Sequence, residues 1–334
     1  MANKLLIMIH SISLIIPHHN DELNLLRLLQ NIPKWNAIPG EIIIIDSSDK
    51  EVFIPEDLYL FFANSGIRFL VLHQKKLFPG HARNIGISEA NNTILAFLDS
   101  STHPSNDWLL KGLNTLEKEG SDGVWGRTSF EANTFTARII RACTYGNNPL
   151  KTFPGSILHK STFNKCGLFI QSTRAGEDGD WMARAELQGL NISSATEVLA
   201  YDKLDKMSIL KLLNKWFRNY SYSSQLPHRQ LQKDYYYLGL SVFAVFFAYN
   251  WNRVLAAWDT TSIFYIPNIT KISFLIIISA YVLIRVFILP LKKGVKLRFL
   301  LPVNFMFIFF ISLLIDSTKI LAFIYSRFNK IFNG

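Results

Sequence analysis

The chain of 334 residues has few cysteines and few charged residues. Its two cysteines, Cys143 and Cys166, make no disulfide framework and lack metal-site spacing, so we expect a reducing, cytosolic environment for the first two thirds of the chain. Charged residues are 18% of the sequence and hydrophobic residues are 49%, which excludes a disordered chain or a coiled coil. The apolar run near the N-terminus stops at His10 without a cleavage site, which argues against a signal peptide.

The net charge of +10 is unevenly distributed along the chain. Residues 1–202 carry 18 basic and 21 acidic side chains, whereas residues 236–334 carry 10 basic and 2 acidic ones. The excess positive charge therefore lies within and beside the most apolar part of the sequence. This distribution is typical of proteins that contact an anionic membrane surface, so we expect a membrane as partner and no nucleic acid.

Residues 1–202 alternate short apolar runs with helical patterns, which predicts an α/β fold. Runs rich in Ile, Leu, Val and Phe without polar alternation are typical of strands covered on both faces. The repetition predicts a mostly parallel sheet flanked by helices, with ligands bound beyond the carboxyl ends of the strands. The predicted strands are Ser13–Ile16, Glu41–Ile45, Arg68–Leu72 and Thr93–Leu98, and the predicted helices are Asp21–Gln30 and Ala82–Ala90.

The remainder of the chain predicts association with a membrane. Apolar side chains recur every three or four positions in residues 206–221, with lysine and arginine between them, which is typical of a helix lying in a membrane interface. A packed surface helix is the alternative. Residues 236–334 contain three apolar stretches, so we expect two or three transmembrane helices. The stretches are Tyr236–Trp251, Ile272–Leu291 and Phe299–Ile315.

A basic loop at Lys292–Arg298 follows the second apolar stretch and is expected in the cytoplasm. Two spans before this loop would place residues 1–235 in the cytoplasm as well. We therefore expect a multi-pass protein of the inner or plasma membrane. Its parts would be a catalytic domain at 1–202, a basic juxtamembrane segment at 203–235 and a membrane domain at 236–334.

Five short motifs follow one another in the first 202 residues. They are Ile15-Ile16-Pro17-His18-His19-Asn20, Glu41–Ser48, Gly80–Gly86, Phe97–Ser101 and Gly176–Trp181. In type, order and spacing they resemble the motifs of glycosyltransferase family 2. The resemblance covers about the first 200 residues and implies the GT-A nucleotide-diphospho-sugar transferase fold. It also implies a hexosyltransferase-type enzyme that uses a nucleotide sugar.

The resemblance implies a donor-binding site assembled from residues that follow the strands. Those residues are Pro17, Asn20, Asp46, Arg83, Asn84, Asp99 and Ser101. The Asp46 carboxylate, at the end of a strand, could accept hydrogen bonds from a base or a ribose, although Asp-Ser-Ser also suits a turn or helix cap. Arg83 could reach the base or the phosphates of the donor, or form a surface salt bridge.

Metal binding is left open by one departure from the family pattern. Members of the family hold Mg²⁺ or Mn²⁺ against the diphosphate with an Asp-x-Asp motif. Here Asp99 is present, but Ser101 replaces the second carboxylate. His103 could supply an imidazole that suits Mn²⁺, or it could be a polar loop residue. Alternatively, a cation such as Arg83 could replace the metal.

By the same resemblance, Asp178 is the base that takes a proton from the acceptor hydroxyl in an inverting transfer, and Glu177 assists it. The structural alternative is an acidic helix N-terminus, which the helix dipole favours. The implied acceptor-binding residues are Trp108, Gly155, Asp180 and Trp181. Core packing is an equally good interpretation of Trp108.

We therefore expect a membrane-anchored glycosyltransferase of polysaccharide biosynthesis at the cell envelope, acting on a lipid-linked or membrane-proximal glycan. The chain lacks a Q-x-x-R-W motif, which argues against a chain-extending synthase. A polyprenyl-phosphate sugar transferase is the first alternative, because Asp99–Pro104 is similar to a motif of that subgroup. A non-catalytic membrane scaffold is the second. Ser101 supports the scaffold, and the intact acidic segment around Asp178 argues against it.

Overall fold

The computed structural model describes residues 7–227, 239, 242, 245–246 and 249–333. The strands are β1 (Ile7–His18), β2 (Ala37–Asp46), β3 (Arg68–His73), β4 (Ile94–Phe97), β5 (Thr102–His103), β6 (Gly123–Phe130), β7 (Leu150–His159), β8 (Ile192–Ser194) and β9 (Leu199–Tyr201). The helices are α1 (Glu22–Asn31), α2 (Glu56–Asn64), α3 (Pro79–Glu89), α4 (Trp108–Glu119), α5 (Phe135–Cys143), α6 (Ser161–Cys166), α7 (Glu177–Leu187), α8 (Ile209–Ser223), α9 (Ile269–Lys292), α10 (Leu297–Leu300) and α11 (Asn304–Asn333).

The strands form one mixed sheet in the order β3-β2-β1-β4-β7-β6-β9-β5, with β8 beside β6. Strands β1 to β4 are parallel, whereas β7 runs antiparallel to both of its neighbours. The predicted α/β fold is confirmed. The four predicted strands correspond to β1 to β4, and β1 and β2 begin several residues earlier than expected. Their carboxyl ends lie at one edge of the sheet, where ligands bind in such folds.

The sheet is covered on both faces by apolar side chains. Leu14 and Ile16 of β1 face one cluster, which includes Trp35 and Trp108 in edge-to-face contact. Ile15 faces the other cluster, which packs beneath α3 and α7. Adjacent residues of β1 are thus buried on opposite sides, as the continuous apolar run predicts.

Aromatic side chains form the centre of the second cluster. Trp181 of α7 is fully buried and has its ring centre within 6 Å of the rings of Phe153, Phe163, Phe169 and Trp125. Its Nε1 donates a hydrogen bond to the carbonyl oxygen of Gly167 at 2.8 Å. Because Trp181 lies in the first turns of α7, this cluster fixes the position of that helix N-terminus.

Helices α9 and α11 are long and apolar enough to cross a membrane, which by itself is weak evidence of a span. Helix α9 matches the second predicted stretch. Helix α11 matches the third but begins at Asn304, because Pro302 disfavours helical geometry in the residue before it. The first predicted stretch, Tyr236–Trp251, lies largely outside the described residues.

Helix α11 packs lengthwise against helices α5 and α8. Ile308, Ile311 and Ile315 are buried in a cluster that also holds residues of α5 and α8. Further along, the Ser326 hydroxyl accepts a hydrogen bond from Ser224 at 2.8 Å. The contacts extend over about 27 Å of helix. The opposite face of α11 is exposed and apolar, with side chains that include Phe310, Leu313, Leu314, Leu321 and Ile324.

Removal of the Trp181 side chain should destabilise the fold substantially. We expect Trp181→Ala to lower the free energy of unfolding by ~3–5 kcal/mol, because it leaves a cavity in the aromatic cluster. Thermal unfolding of the detergent-solubilised protein checks this. Trp258→Ala is the matched control, since Trp258 is 62% exposed, and it should leave the melting temperature unchanged. Equal melting temperatures for the two variants would contradict the cluster's structural role.

Candidate donor and catalytic cleft

A cleft of about 910 Å³ lies beyond the carboxyl ends of β1, β2 and β4. The ends of these strands form its floor, with Pro17, Ser47 and Asp99 among the lining residues. The first turn of α7 forms one wall, and α8 contributes Arg218 to another. The cleft is thus at the edge where the strand order predicts a ligand site.

A buried arginine joins two sides of the cleft. Arg83 of α3 donates from Nη1 to Oε1 of Glu177 at 2.7 Å and from Nη2 to Oδ1 of Asp99 at 3.0 Å. Its guanidinium carbon also lies 5.5 Å and 5.6 Å from the ring centres of Phe153 and Phe169. Arg83 therefore ties the end of β4 to the N-terminus of α7.

The charges around Arg83 determine its ionisation. Burial alone would lower the pKa of Arg83, but the carboxylates of Asp99, Glu177 and Asp178 outweigh burial and raise that pKa. Burial, followed by the charge of Asp178, raises the pKa of Glu177, and the guanidinium opposes this shift. The site thus holds a permanent cation next to a carboxyl group that is easier to protonate than usual.

Glu177 and Asp178 occupy the first turn of α7 but differ in access. Both line the cleft, but Glu177 is buried against Arg83, whereas Asp178 is half-buried. One oxygen of Asp178 accepts a hydrogen bond from the backbone N–H of Gly179 at 2.7 Å. Asp178 is consequently the carboxylate of this pair that a molecule in the cleft can reach.

Gly80 explains why the motif before Arg83 begins with glycine. A Cβ atom at Gly80 would lie 2.5 Å from the carbonyl oxygen of Ile170 and 3.1 Å from Cγ of Glu177. Asn84 holds the same close contact between α3 and the segment at Phe169 and Ile170, because its side chain exchanges hydrogen bonds of 2.9 Å with the backbone of Phe169. Asn84 is therefore buried and bonded to the protein backbone, and its place in the donor site stays a prediction.

Asp46 lies beneath the cleft and is completely buried. Its oxygens accept hydrogen bonds from the backbone N–H groups of Ser48 and Val52, and His73 Nδ1 lies 2.9 Å away. Burial opposes ionisation, but these hydrogen bonds outweigh it and lower the pKa of Asp46. The carboxylate caps the turn after β2, as the alternative interpretation of Asp-Ser-Ser predicts, and it does not line the cleft.

Asn20 also acts within the loops at the cleft edge. Its backbone N–H donates to the Ser48 hydroxyl at 2.8 Å, and its side chain exchanges hydrogen bonds with Asp49. Asn20 has a φ of 49°, a left-handed conformation that asparagine tolerates better than most residues. It joins the loops after β1 and β2, and of these residues Asp49 is the one that lines the cleft.

The residues proposed for a metal ion are separated in the structure. Ser101 is buried and lines the cleft near Asp99. His103 is on β5, where its Nε2 lies 3.3 Å from a carboxylate oxygen of Asp202, and it does not line the cleft. Within the described part of the chain, no three His, Cys, Asp or Glu side chains converge on one point. Asp99 is thus the single carboxylate of the motif available to an ion.

The predicted acceptor residues are mostly buried. Trp108 is 1% exposed and donates from Nε1 to the carbonyl oxygen of Gly155 at 3.2 Å. Asp180 is buried and pairs with Arg184 at 2.9 Å, and Trp181 belongs to the aromatic cluster. None of these residues lines the cleft. These residues pack within α7 and the sheet, and their part in acceptor binding stays a prediction.

Several cleft residues were missed by the sequence analysis. His18, His19, Arg174, Lys203 and Arg218 line the cleft. His18 and His19 lie within the first of the five motifs, so the sequence could have indicated that they line the cleft. Lys203 and Arg218 belong to the segment assigned to the membrane surface, where a cation beside apolar residues indicates lipid as readily as a ligand.

His18 has one further property. Its Nδ1 is buried and has no hydrogen-bond partner among the described residues. Burial lowers the pKa of His18, against the charges of Asp46 and Asp21, so the neutral imidazole is favoured. A neutral ring at the cleft floor can exchange a hydrogen bond with a ligand without carrying a charge.

Loss of the Arg83 guanidinium should lower the stability of the fold most at neutral and alkaline pH. Arg83→Gln leaves Asp99 and Glu177 without their cation, and we expect a loss of roughly 3–5 kcal/mol of stability. Since the folded state raises the pKa of Glu177 further in this variant, stability should recover as the pH falls and the carboxyl group protonates. Thermal unfolding compared at pH values from 5 to 8 measures this recovery.

The control for this experiment is Arg27→Gln. Arg27 pairs with Asp202 at 3.1 Å, and the two side chains are 56% and 33% exposed. Such a pair contributes about 0–1 kcal/mol. A similar loss of stability in both variants, or a loss in Arg83→Gln that does not change with pH, would contradict the bridging role.

Comparisons with known proteins agree with this architecture. Residues 13–169 match the family model described as Glycosyl transferase family 2. The glycosyltransferase AglE of Haloferax volcanii is 26% identical over an alignment of 224 residues that covers 62% of this chain and 71% of AglE. The structure of the mannosyltransferase PcManGT from Pyrobaculum calidifontis, in complex with GDP-Man and Mn²⁺, is 12% identical. Its match covers 93% of this chain and 87% of that one with a TM-score of 0.50, a likeness of fold.

Four of the five motifs lie within the matched residues 13–169, and the resemblance is confirmed there. Residues 13–169 carry a family 2 glycosyltransferase domain, and the chain is a glycosyltransferase.

Proposed function

We propose that the chain transfers a sugar, with inversion, from a nucleotide-sugar donor to a lipid-linked or membrane-proximal glycan at the cytoplasmic face of a membrane. The observation that carries the proposal is the Arg83 bridge to Asp99 and Glu177, with Asp178 accessible beside it. The cleft volume of about 910 Å³ is in the range of small-molecule sites. A related fold binds GDP-Man, which supports a nucleotide sugar as the donor class.

Charge around the cleft suits the diphosphate of such a donor. In addition to Arg83, the cleft is lined by four cationic side chains, here called the rim cations: Lys76, Arg174, Lys203 and Arg218. Arg83 is already engaged by two carboxylates, so the rim cations are the ones that would attract the phosphates. They would also stabilise the charge that develops on the departing nucleotide.

A divalent cation fits this cleft only with help from the donor. Mg²⁺ and Mn²⁺ are often held by one carboxylate together with substrate phosphates, and Asp99 would be that carboxylate here. Ser101 stands close enough in sequence to contribute a hydroxyl. The ion would offset negative charge on the leaving diphosphate, and the rim cations would share that task.

Asp178 is the residue best placed to act as the base. Its carboxylate would accept the proton of the acceptor hydroxyl while the hydroxyl oxygen bonds to the anomeric carbon and the bond to the nucleotide diphosphate breaks. Glu177 is enclosed and holds Arg83, so we assign it a positioning role. Hydrogen bonding of Asp178 to the Gly179 N–H fixes its orientation at the start of α7.

The membrane assignment is supported by α9 and by the packing of α11. Helix α9 is exposed over most of its length and suits a span. Helix α11 contacts α5 and α8 over about 27 Å, close to the ~30 Å thickness of the hydrocarbon core. A helix held lengthwise against a cytoplasmic domain cannot also cross the bilayer. We therefore propose that α11 lies in the membrane interface with its apolar face toward lipid.

Asp178→Asn is the sharpest test of the catalytic assignment. The amide keeps the volume of the side chain but cannot accept the proton, so we expect turnover to fall ~10²–10⁴-fold. Nucleotide affinity should change little, because the base faces the acceptor. Turnover is measured by release of the nucleoside diphosphate from a nucleotide sugar, with membrane extract as acceptor.

Asp57→Asn is the matched control, because Asp57 also lies in the first turn of a helix, α2, and is exposed. It should retain wild-type turnover. Equal turnover in Asp178→Asn and wild type would remove Asp178 as the base. If neither wild type nor Asp178→Asn turned over any nucleotide sugar, the result would favour a non-catalytic scaffold over an enzyme that uses this cleft.

The identity of the labelled product separates the two acceptor classes. With a radiolabelled donor, transfer to a lipid-linked glycan extends an existing saccharide, whereas transfer to a polyprenyl phosphate gives a product with a single sugar. Mild acid hydrolysis and sizing of the released saccharide distinguish them. A single released sugar would replace the glycan acceptor by polyprenyl phosphate.

Reporter fusions test the membrane arrangement. A reporter fused after Lys296 should be cytoplasmic, and one fused after Thr261 should be on the other side, because α9 separates them. A reporter fused after Asn333 should be cytoplasmic if α11 lies in the interface. A reporter on the far side at Asn333 would show that α11 crosses the membrane, and identical sides at Thr261 and Lys296 would rule out a span by α9.

A further inference from the structure

A second, smaller pocket of about 200 Å³ lies between α5 and the loop that follows α9. Four cationic side chains line it, together with Asn147 and apolar residues, and no lining residue is a carboxylate. The cations are Arg138, Arg141, Lys296 and Arg298. The pocket shares no lining residue with the donor cleft. Its charge therefore serves no role in the transfer reaction described above.

Backbone contacts hold the two sides of this pocket together. The N–H groups of Asn147 and Asn148 both donate to the carbonyl oxygen of Lys293, at 2.8 and 3.0 Å. The Asn147 side chain donates to the carbonyl oxygen of Gly294 at 3.1 Å. Gly146 has a positive φ and leaves no room for a Cβ atom against Lys293. The cations are thus presented by a fixed junction.

Arg141 is held in place with part of its guanidinium unused. Its Nη1 donates to the carbonyl oxygen of Phe130 at 3.1 Å, while Nε is buried without a partner among the described residues. Burial, and after it the charge of Arg138, lowers the pKa of Arg141, and the charge of Asp205, which does not line the pocket, opposes this shift. An anion in the pocket would offer a hydrogen-bond acceptor to the unpartnered Nε of Arg141. It would also offset the repulsion between Arg138 and Arg141.

Apolar side chains are exposed on α5, which lines the pocket, and on α11, which packs against α5. Phe135, on the same helix as Arg138, contacts Phe307 of α11 with 5.5 Å between ring centres, and both are about half exposed. Leu297 and Val303 are likewise exposed nearby in sequence. The cationic cavity and exposed apolar side chains thus occur on the same packed elements, and a soluble anion would not need the apolar part.

We propose that this pocket binds the phosphate of an anionic membrane phospholipid, with the acyl chains along the exposed face that includes Phe135, Phe307 and Val303. Charge complementarity selects the headgroup, since the cavity offers four cations and no acid. Basic pockets beside membrane helices on the cytoplasmic side are a recurrent mode of headgroup recognition. The bound lipid would fasten α5, and with it the glycosyltransferase domain, to the bilayer.

Short-chain lipids allow a direct test on the full-length protein in detergent. We expect saturable binding of dioctanoyl phosphatidylglycerol, at least tenfold tighter than that of dioctanoyl phosphatidylcholine or of inorganic phosphate. Arg298→Glu should weaken phosphatidylglycerol binding at least tenfold. Lys118→Glu is the matched control, because Lys118 is also exposed but lies on α4, outside this pocket. It should bind phosphatidylglycerol within twofold of wild type.

The control readouts keep the result independent of the transfer reaction. Nucleotide binding and melting temperature should be unchanged in Arg298→Glu, which would show that the protein is folded and its cleft intact. Equal affinity for the two lipids, or an unaffected Arg298→Glu variant, would overturn the site. Inorganic phosphate that binds as tightly as phosphatidylglycerol would show a site for a soluble anion and would overturn the lipid assignment.

Discussion

The arrangement of the cleft depends on one buried guanidinium. Arg83 is the shared partner of Asp99, at the end of β4, and Glu177, at the start of α7. Arg83 and Glu177 are buried, whereas the Asp99 side chain is 38% exposed. A buried charge is costly unless it is paired, so the elements that carry these groups cannot move apart independently. The aromatic cluster under α7 adds a second restraint from below. Together they leave Asp178 facing the cleft at a fixed distance from the strand ends.

The sequence was most informative where function requires an unusual residue at a fixed place. Gly80 and Arg83 were recognisable because a close helix contact needs glycine and a carboxylate pair needs arginine. The same motifs contain Asp46 and Asn84, whose side chains hydrogen-bond to the backbone, since a polar residue in a motif can serve the backbone as well as a ligand. The hydrogen-bond partners of Asp46 and Asn84 include residues in the following turn and on other elements. A sequence motif does not show which of these partners a side chain will reach.

Parallel strands were predictable because burial on both faces gives unbroken apolar runs, as in Glu41–Ile45. Strands β6 and β7 were not, because glycines, threonines and lysines interrupt them and their pairing is set by tertiary contacts. The contribution of α8 to the cleft was hidden for a related reason. Its apolar stripe fits a membrane interface and a protein surface equally well, and the structure packs it against α11.

Helix α8 contacts both the donor cleft and helix α11. Its Arg218 reaches the donor cleft, while Ser224, just beyond its end, hydrogen-bonds to Ser326 of α11. A protein shortened after Asp202 to obtain a water-soluble domain would therefore retain the family motifs but lose a wall of the cleft and two of its rim cations. Inhibitor searches and kinetic studies that aim at the native specificity need the chain through α11, held in a lipid or detergent environment.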